Sequence, residues 1–422
     1  MNNKIKSIED YKVKDTSTLK PYYGLPNEVK FCSICCISNQ RPNSEIEYKH
    51  TIESKKSTIQ FNEQNVCDAC SHNLNKTEID WKKREEELLI LLDKYRKNDG
   101  SYDCLVPGSG GKDSAYQAHI LKYKYGMNPL TVTWPPILYT EYGYKNWKNW
   151  IDSGFDNITF TRNGNVMKLL TRLSIENLFH PFQTFILGQK YLGPKIAAKY
   201  NIPLIFYGEN EAEYGNSLAD NNISLRDKSY YTYSNLDDIN LGGVSIKELQ
   251  DRYKLSKVDL APFLPATPNE LESKDIQVHY LGYYLKWVPQ EVYYYAVENT
   301  GFKARPFRTQ GTYSKYNSID DKIDDLHYYT TYIKFGIGRA TYDAAQEIRN
   351  KHITRDEACA LIKRFDGEFP NKYFKEIMEY IEMDPEYFMQ LGDKFKSPHL
   401  WAINDDGEFQ LRHTINKDGL ND

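Results

Sequence analysis

The chain has 422 residues, 27% of them charged, with a formal net charge of −4 and a mean hydropathy of −0.69. That length suits two or three domains with a substantial core, and that polarity excludes a membrane-embedded protein. A sequence pI near 6.2 argues against a general nucleic-acid binder, which needs a basic face.

The first residues, MNNKIKSIEDYKVKD, contain no apolar stretch of signal-peptide type, and the apolar run Leu88–Leu92 is far too short to span a bilayer. The expected location is therefore the cytosol, with no membrane insertion. Thiols stay reduced there, so seven cysteines point to metal or catalysis before disulfides. Cys32 and Cys35 form one CxxC in FCSICCISNQRP, and Cys67 and Cys70 form another in NVCDACSHN. Two such knuckles can supply four thiolates to one tetrahedral Zn²⁺, a closed and therefore structural site. The polar stretch between them reads as a small β-ribbon or loop. Cys36, His50 and His72 are near enough in sequence to compete as ligands, whereas Cys104 and Cys359 read as ordinary core residues.

A helix follows, with Trp81, Leu88, Leu92 and Tyr95 on one stripe and a stop at Asn98-Asp99-Gly100. YDCLVP is then a short buried strand. Beyond a glycine loop, DSAYQAHILKYKY reads as a helix with Ala115, Ala118, Leu121 and Tyr125 inward. Further strands are expected at Asn128–Trp134, Phe155–Thr161 and Ile202–Asn210, the last after a helix around Tyr191–Tyr200. Strands alternating with helices predict an α/β fold, a doubly wound and mostly parallel sheet whose ligands bind beyond the carboxyl ends of the strands. The C-terminal third reads as helical. Thr354 and Glu357 form a capping box, Phe374, Ile377, Met378 and Ile381 form a stripe, and Asp384-Pro385 opens another helix. The tail after about Thr414 is expected to be loose. The domains expected are a zinc-binding module over 1–77, a nucleotide-binding domain over 78–265, and substrate-site segments with a helical region over 266–422.

The glycine loop is Gly108-Ser109-Gly110-Gly111-Lys112-Asp113-Ser114. Between a strand and a helix N-terminus it offers backbone N–H groups, two hydroxyls and one cation to an anion, as a phosphate cradle does. A Walker A loop is excluded because Val106 stands where its first glycine is needed and Asp113 follows Lys112. Nor does it fit GxGxxG, because Lys112-Asp113 occupies the third glycine's place. The string Ser109–Ser114 instead resembles the pyrophosphate-binding loop of the ATP pyrophosphatases.

Together with the paired CxxC motifs, the chain resembles the N-acetyl sugar amidotransferases of bacterial surface-polysaccharide pathways. The resemblance lies in ISNQRPNSEIEYKHT, SYDCLVPGSGGKDS, PLTVTW, FHPFQTFILGQK, IPLIFYGENEAEYGN, DDLHYYTTYIKFGIGRATYDAAQEIR and ITRDEACALIKRFDGEFP. It implies a PP-loop domain of the adenine nucleotide alpha hydrolase type. It also implies ATP-dependent conversion of an acetamido group to an acetamidino group, with AMP and pyrophosphate as products and Mg²⁺ at the phosphates. An N-acetylated sugar is the implied substrate, a nonulosonic acid or a nucleotide-linked diacetamido hexose, for lipopolysaccharide O-antigen, capsule or flagellin glycan. Ser109, Gly110, Gly111, Lys112, Asp113 and Ser114 are the expected nucleotide ligands, with Lys112, Asp113 and Glu209 catalytic. Glu209, Asn210 and Glu211 follow a strand end, where a substrate site is expected, and Arg339 beside Gly336 and Gly338 suits a phosphate or carboxylate. A plain C-cap turn with a surface arginine fits that last stretch equally. TFILGQK and His180–Gln183 are expected to line the same cleft, where His180 reads as a substrate ligand or, by preference, a packed loop histidine. Asp320, Asp321, Asp324 and Asp325 read as a metal or substrate site or, by preference, a solvated helix start. The 35 tyrosines accompany high Asn, Lys and Ile, a composition bias, and are not read as a sugar-stacking box.

Transfer-RNA thiolation enzymes also join paired CxxC motifs to this type of loop. The acidic balance and the few remaining cysteines favour the sugar over nucleic acid. No glutaminase is visible. The chain starts Met1-Asn2-Asn3, and neither Cys104 nor Cys359 has the flanking glycines of a nucleophile elbow. The family resemblance implies a separate glutaminase subunit as the partner, with a barrel-like subunit that conducts ammonia.

Overall fold

The computed structural model describes residues 8–45, 47–49, 51–208, 211–214, 223–233 and 235–415. We number strands of three residues or more and helices of eight or more. The centre is one sheet of β1 (Cys104–Pro107), β2 (Pro129–Thr133), β3 (Asn157–Thr159), β4 (Leu204–Tyr207) and β5 (Gln277–Tyr280). Its order is β3-β2-β1-β4-β5, and every neighbouring pair is parallel. Around it stand α1 (Asp68–Asn75), α2 (Trp81–Tyr95), α3 (Lys112–His119), α4 (Glu141–Asp152), α5 (Gly164–Leu178), α6 (Gln183–Tyr200) and α7 (Pro289–Thr300).

Side-chain alternation along the strands separates two cores. Leu105, Leu130, Val132, Ile205 and Val278 meet α5 and α6 on one face. Cys104, Val106, Leu204 and Phe206 meet α2, α3 and α7 on the other. Both faces of the sheet are covered, as a parallel sheet requires, and the α/β reading of the sequence is borne out. The stripe Leu88, Leu92 and Tyr95 is buried, as are Ala115, Ala118, Leu121 and Tyr125, although α3 passes into a π-helical turn over Ile120–Lys124.

Three elements differ from expectation. The strand expected over Phe155–Thr161 is paired only at Asn157–Thr159, on the sheet edge, where one neighbour is missing. Strand β5 was not foreseen; its sequence QVHY has no apolar run. Helix α6 begins eight residues before Tyr191, at Gln183, and runs through Gly188, Gly193 and Pro194.

The C-terminal part contains α8 (Asp324–Phe335), α9 (Arg339–Arg349), α10 (Arg355–Phe365), α11 (Asn371–Tyr380) and α12 (Pro385–Phe395). A hairpin of β6 (Trp401–Ile403) and β7 (Phe409–Leu411) follows. The capping box at Thr354 and Glu357 is present, and Asp384 caps α12 ahead of Pro385. The N-terminal stretch lies on these helices. Tyr11 Oη donates to Lys396 O (2.8 Å), Tyr23 Oη to Phe395 O (2.8 Å) and Arg412 Nη1 to Val13 O (2.7 Å). Most of the expected loose tail, 416–422, falls outside the described residues.

Candidate functional site

Sheet order reverses at β1 and β4: the chain proceeds from β1 through β2 to β3 on one side, and from β4 to β5 on the other. Ligands of such sheets bind at the carboxyl ends of the strands flanking that reversal, and the glycine loop occupies that end of β1. Gly110 has φ +84°, and a Cβ there would stand 2.5 Å from Trp147 Cα of α4, so only glycine fits. Gly111 is different: its Cβ would meet nothing nearer than Ser109 Oγ at 3.7 Å. It is the N-cap of α3 and supplies no side-chain cap, which leaves the first-turn amides to a ligand.

Lys112 is buried and its Nζ lies 2.7 Å from both carboxylate oxygens of Asp113. The Ser114 hydroxyl donates to Gly111 O (3.0 Å), so it braces the loop. Ser109, Gly110, Gly111, Lys112 and Asp113 line a cavity of about 790 Å³. A smaller one of about 210 Å³ lies alongside, lined by Gly108, Ser114, Gln117, Val132, Trp134 and Gly208 among others. There Gln117 Oε1 and the Trp134 indole N–H are buried without a hydrogen-bond partner among the described residues. Orphaned polar atoms are costly, and these two suit a planar ligand that donates to one and accepts from the other.

The large cavity draws its remaining walls from distant segments. His180 lines it and stacks on His327 of α8, with ring centroids 4.8 Å apart and planes 22° apart. Neither Nδ1 has a hydrogen-bond partner among the described residues. Burial, with Lys334 and Arg339 adding to it, pushes His327 down to about 3; burial, with His327 and Lys334, holds His180 well below the ordinary histidine value. His180 thus lines the cavity, as expected of His180–Gln183, and is packed there by stacking on His327. Lys334, buried on α8, donates to Leu178 O (3.0 Å), and burial pushes it down to about 8. Glu47 lies 4.0 Å from Lys334 and 2.6 Å from Lys56.

Arg339 stands in the cavity wall at the start of α9. It donates to Tyr328 Oη (2.6 Å) and pairs with Asp343 (3.0 Å). Gly336, with φ +68°, caps α8, so the stretch is both a C-cap turn and a cavity wall. The aspartates Asp320, Asp321, Asp324 and Asp325 are not a solvated helix start. Asp321 is buried and accepts from the N–H groups of Ile137, Leu138 and Ile323, tying the segment after β2 to α8. Asp325 is also buried, while Asp320 and Asp324 line the cavity. Burial, reinforced by the neighbouring carboxylates, raises Asp324 well above the ordinary value.

Glu209 and Asn210 lie outside the described residues, and Glu211 is described in its backbone only, at the start of a short 3-10 turn. Glu213, two residues on, is buried and takes a 2.5 Å ion pair from Lys76. It anchors the end of α1. The residues to which sequence reasoning gave no role are Arg41, Glu47, Lys56, His327 and Lys334; all but Lys56 lie in stretches that carry the family resemblance, but only the fold brings the five together.

The four CxxC sulfurs lie within 4.8 Å of one another, with Cys32–Cys70 at 3.8 Å and Cys35–Cys67 at 3.6 Å. Zn–S bonds of about 2.3 Å in a tetrahedron give sulfur–sulfur edges of about 3.8 Å, so the donor set fits zinc. All four residues are buried, which leaves no open coordination position. Cys36 has φ +67° and turns away, its sulfur 3.9 Å from Cys359. His72 faces Glu213 instead (3.6 Å), and His50 lies outside the described residues. The candidate ligand set is therefore Cys32, Cys35, Cys67 and Cys70, which could hold one zinc ion. Burial works against the charge of Arg349, but the Cys35, Cys70 and Cys67 sulfurs outweigh it and hold the guanidinium above its ordinary value.

Among the described residues, no helix is long and apolar enough to cross a membrane. Residues 310–415, 106 of the 422, match the family described as "LPS biosynthesis protein WbpG-like, C-terminal domain". An uncharacterized protein of Methanocaldococcus jannaschii is 33% identical over 101 residues, 24% of this chain. The chain spans about a third of that relative's length, 31%. The WbpG-like stretch carries Asn317, Asp320, Asp324, His327, Arg339 and Asp343, which form the cavity wall contributed by the C-terminal part. This region is thus similar to a domain of lipopolysaccharide-biosynthesis proteins.

Proposed function

We propose that the chain is an ATP-dependent amidotransferase that converts the acetamido group of an N-acetylated sugar to an acetamidino group during surface-glycan biosynthesis. One observation carries this reading: the glycine loop and the WbpG-like stretch line the same cavity of about 790 Å³. The loop suits pyrophosphate, because its amides open into the cavity where Gly111 leaves room. Gln117 and Trp134 suit the edge of a nucleotide base.

The chemistry needs an activated amide. The acetamido oxygen attacks the α-phosphorus of ATP, the bond to the bridging β-oxygen breaks, and pyrophosphate leaves. Ammonia then adds to the imidate carbon, loses a proton, and AMP departs with the former carbonyl oxygen. Lys112 and the α3 amides neutralise charge on the leaving pyrophosphate. Asp113, at the start of α3 beside Lys112, would hold Mg²⁺, the ion supplying further charge neutralisation at the phosphates. Glu209, Asn210 and Glu211, following β4, are assigned to the sugar on position, and Arg339 to its anionic or hydroxyl groups. Ammonia comes from a separate glutaminase subunit, with a conducting barrel subunit between them. The four cysteines hold a structural zinc and take no part in the chemistry.

The test incubates purified chain, ATP and ammonium with nucleotide-linked N-acetyl sugars, with nonulosonic acids, or with transfer RNA, and resolves the nucleotides. AMP and pyrophosphate formed only with a sugar support the reading; turnover driven by transfer RNA would make the chain a thiolation-type enzyme instead.

A further inference from the structure

The segment between the two zinc knuckles is a wall of the cavity. Arg41, Glu47, Tyr48, Lys49, Lys55 and Lys56 all line it. The segment is tied off at its base, where Pro42 bridges Thr58, Asn43 N–H donates to Ser57 O (2.9 Å) and Ile59 N–H donates to Arg41 O (2.9 Å). Ile59 packs with the four cysteines, so the base of the strap rests on the metal cluster. Its far end reaches the α/β part: Gln183 Nε2 donates to Glu47 O (2.7 Å), and Tyr48 Oη lies 3.0 Å from Tyr191 Oη. Its return limb is pinned by Lys56 N–H to Tyr23 O (2.8 Å) and presses on Gly24, where a Cβ would come within 2.8 Å of Lys55 Cα.

Two cations on this strap stand apart from the rest. Lys56 is paired with Glu47, but Lys49 and Lys55 are exposed and make no ion pair among the described residues. Around the whole cavity nine lysines and arginines face six aspartates and glutamates, an excess of positive charge in a chain of net charge −4. Of the nine, only Lys112 belongs to the glycine loop. A cleft lined by one sign of charge concentrates ligands of the other sign.

We propose that the zinc-tied strap of residues 41–45, 47–49 and 51–58 determines substrate choice, with Lys49 and Lys55 at the rim taking an anionic group, a phosphate or a carboxylate, carried by the sugar. This rests on the sugar-amidotransferase reading. The zinc knuckles then hold the strap in register, and the rim lysines select a charged sugar over a neutral one at long range. Screening by salt weakens that selection.

The experiment measures binding to the full chain by calorimetry, with a non-hydrolysable ATP analogue present. The probes are UDP-N-acetylglucosamine, N-acetylneuraminate and free N-acetylglucosamine, which share the acetamido group and differ in the anion. At least one anionic probe is expected to bind tenfold or more tighter than the neutral sugar. Lys49→Ala/Lys55→Ala should erase that difference, and Lys49→Arg/Lys55→Arg should restore it. Zinc content and affinity for the ATP analogue should stay unchanged in both variants. Equal binding of all three probes, a preference that survives in the alanine variant, or an equal loss of ATP-analogue affinity would overturn the proposal. Anion preference governed by these lysines, in a chain that releases no pyrophosphate with any sugar, would retain the strap and refute the amidotransferase reading instead.

Discussion

Gly110 and Gly111 are neighbours with opposite jobs, and exchanging each separates folding from phosphate binding. At Gly110 an alanine would be forced into left-handed backbone at φ +84°, which costs about 1–2 kcal/mol. Its Cβ would also stand 2.5 Å from the Trp147 backbone, an overpacking that costs about 1–3 kcal/mol more. Gly110→Ala should therefore lose about 2–5 kcal/mol, a large part of a typical stability of about 5–15 kcal/mol. Gly111 has ordinary extended backbone, φ −63° and ψ 161°, and open space around its Cβ position. Valine there should cost only about 1 kcal/mol, from the poorer N-cap. Its two methyls would nonetheless stand where a phosphate must approach the α3 amides. Losing such a donor set typically costs about a hundred- to a thousandfold in rate. The assay pairs thermal unfolding with pyrophosphate release at saturating sugar. Gly111→Val should unfold close to the parent yet lose at least a hundredfold in kcat/KM for ATP, whereas Gly110→Ala should unfold several degrees earlier. Pyrophosphate release by Gly111→Val within tenfold of the parent would refute the placement of phosphate on this loop.

Cys67→Ser should lower zinc from one per chain, while Cys36→Ser should leave it unchanged because that sulfur faces Cys359; equal zinc in Cys67→Ser and the parent would sink the four-cysteine site. His327 is pushed down to about 3 in the folded chain, so the stability tied to its neutral ring is present above the unfolded value near 6.5 and is lost as pH falls between them. His327→Asn should make urea-derived stability less steep over that window by one proton, about 1.4 kcal/mol per pH unit; an unchanged slope would contradict this. The isolated chain should use ammonium salts, faster as pH rises and more free ammonia forms, and use glutamine poorly; glutamate released in step with amidination by this chain alone would exclude a separate glutaminase.

What the sequence discloses here is mostly local. A strand, a glycine loop and a helix start are contiguous, so Ser109 to Ser114 could be read as one unit. The two CxxC pairs could be read likewise, though the exclusion of Cys36 needed its left-handed backbone. The other cavity walls come from 41–58, 179–190 and 316–349, which meet only through the sheet order and the docking of α8 and α9. No spacing rule joins Lys56 to Lys334. Asp321 resembled a solvated helix start because its partners, the Ile137 and Leu138 amides, lie 183 or more positions away. The early part of α6, residues 183–190, was hidden by Gly188, a residue type that usually breaks helices. Gly188 is glycine because any side chain would run into the Trp134 indole, and Gly193 because it packs on Pro107. Packing, not turn formation, sets those two positions.

The central claim is that the acetamido oxygen is activated by AMP, and an isotope trace tests it most directly. The substrate is an N-acetylated sugar carrying heavy oxygen in its acetamido carbonyl, given with unlabelled ATP and ammonium. Mass spectrometry of the separated nucleotides and sugar then locates the label. Our account predicts one heavy oxygen in each AMP, none in pyrophosphate, and a sugar product that has lost it. Heavy oxygen retained in the sugar, or ADP as the nucleotide product, would contradict it.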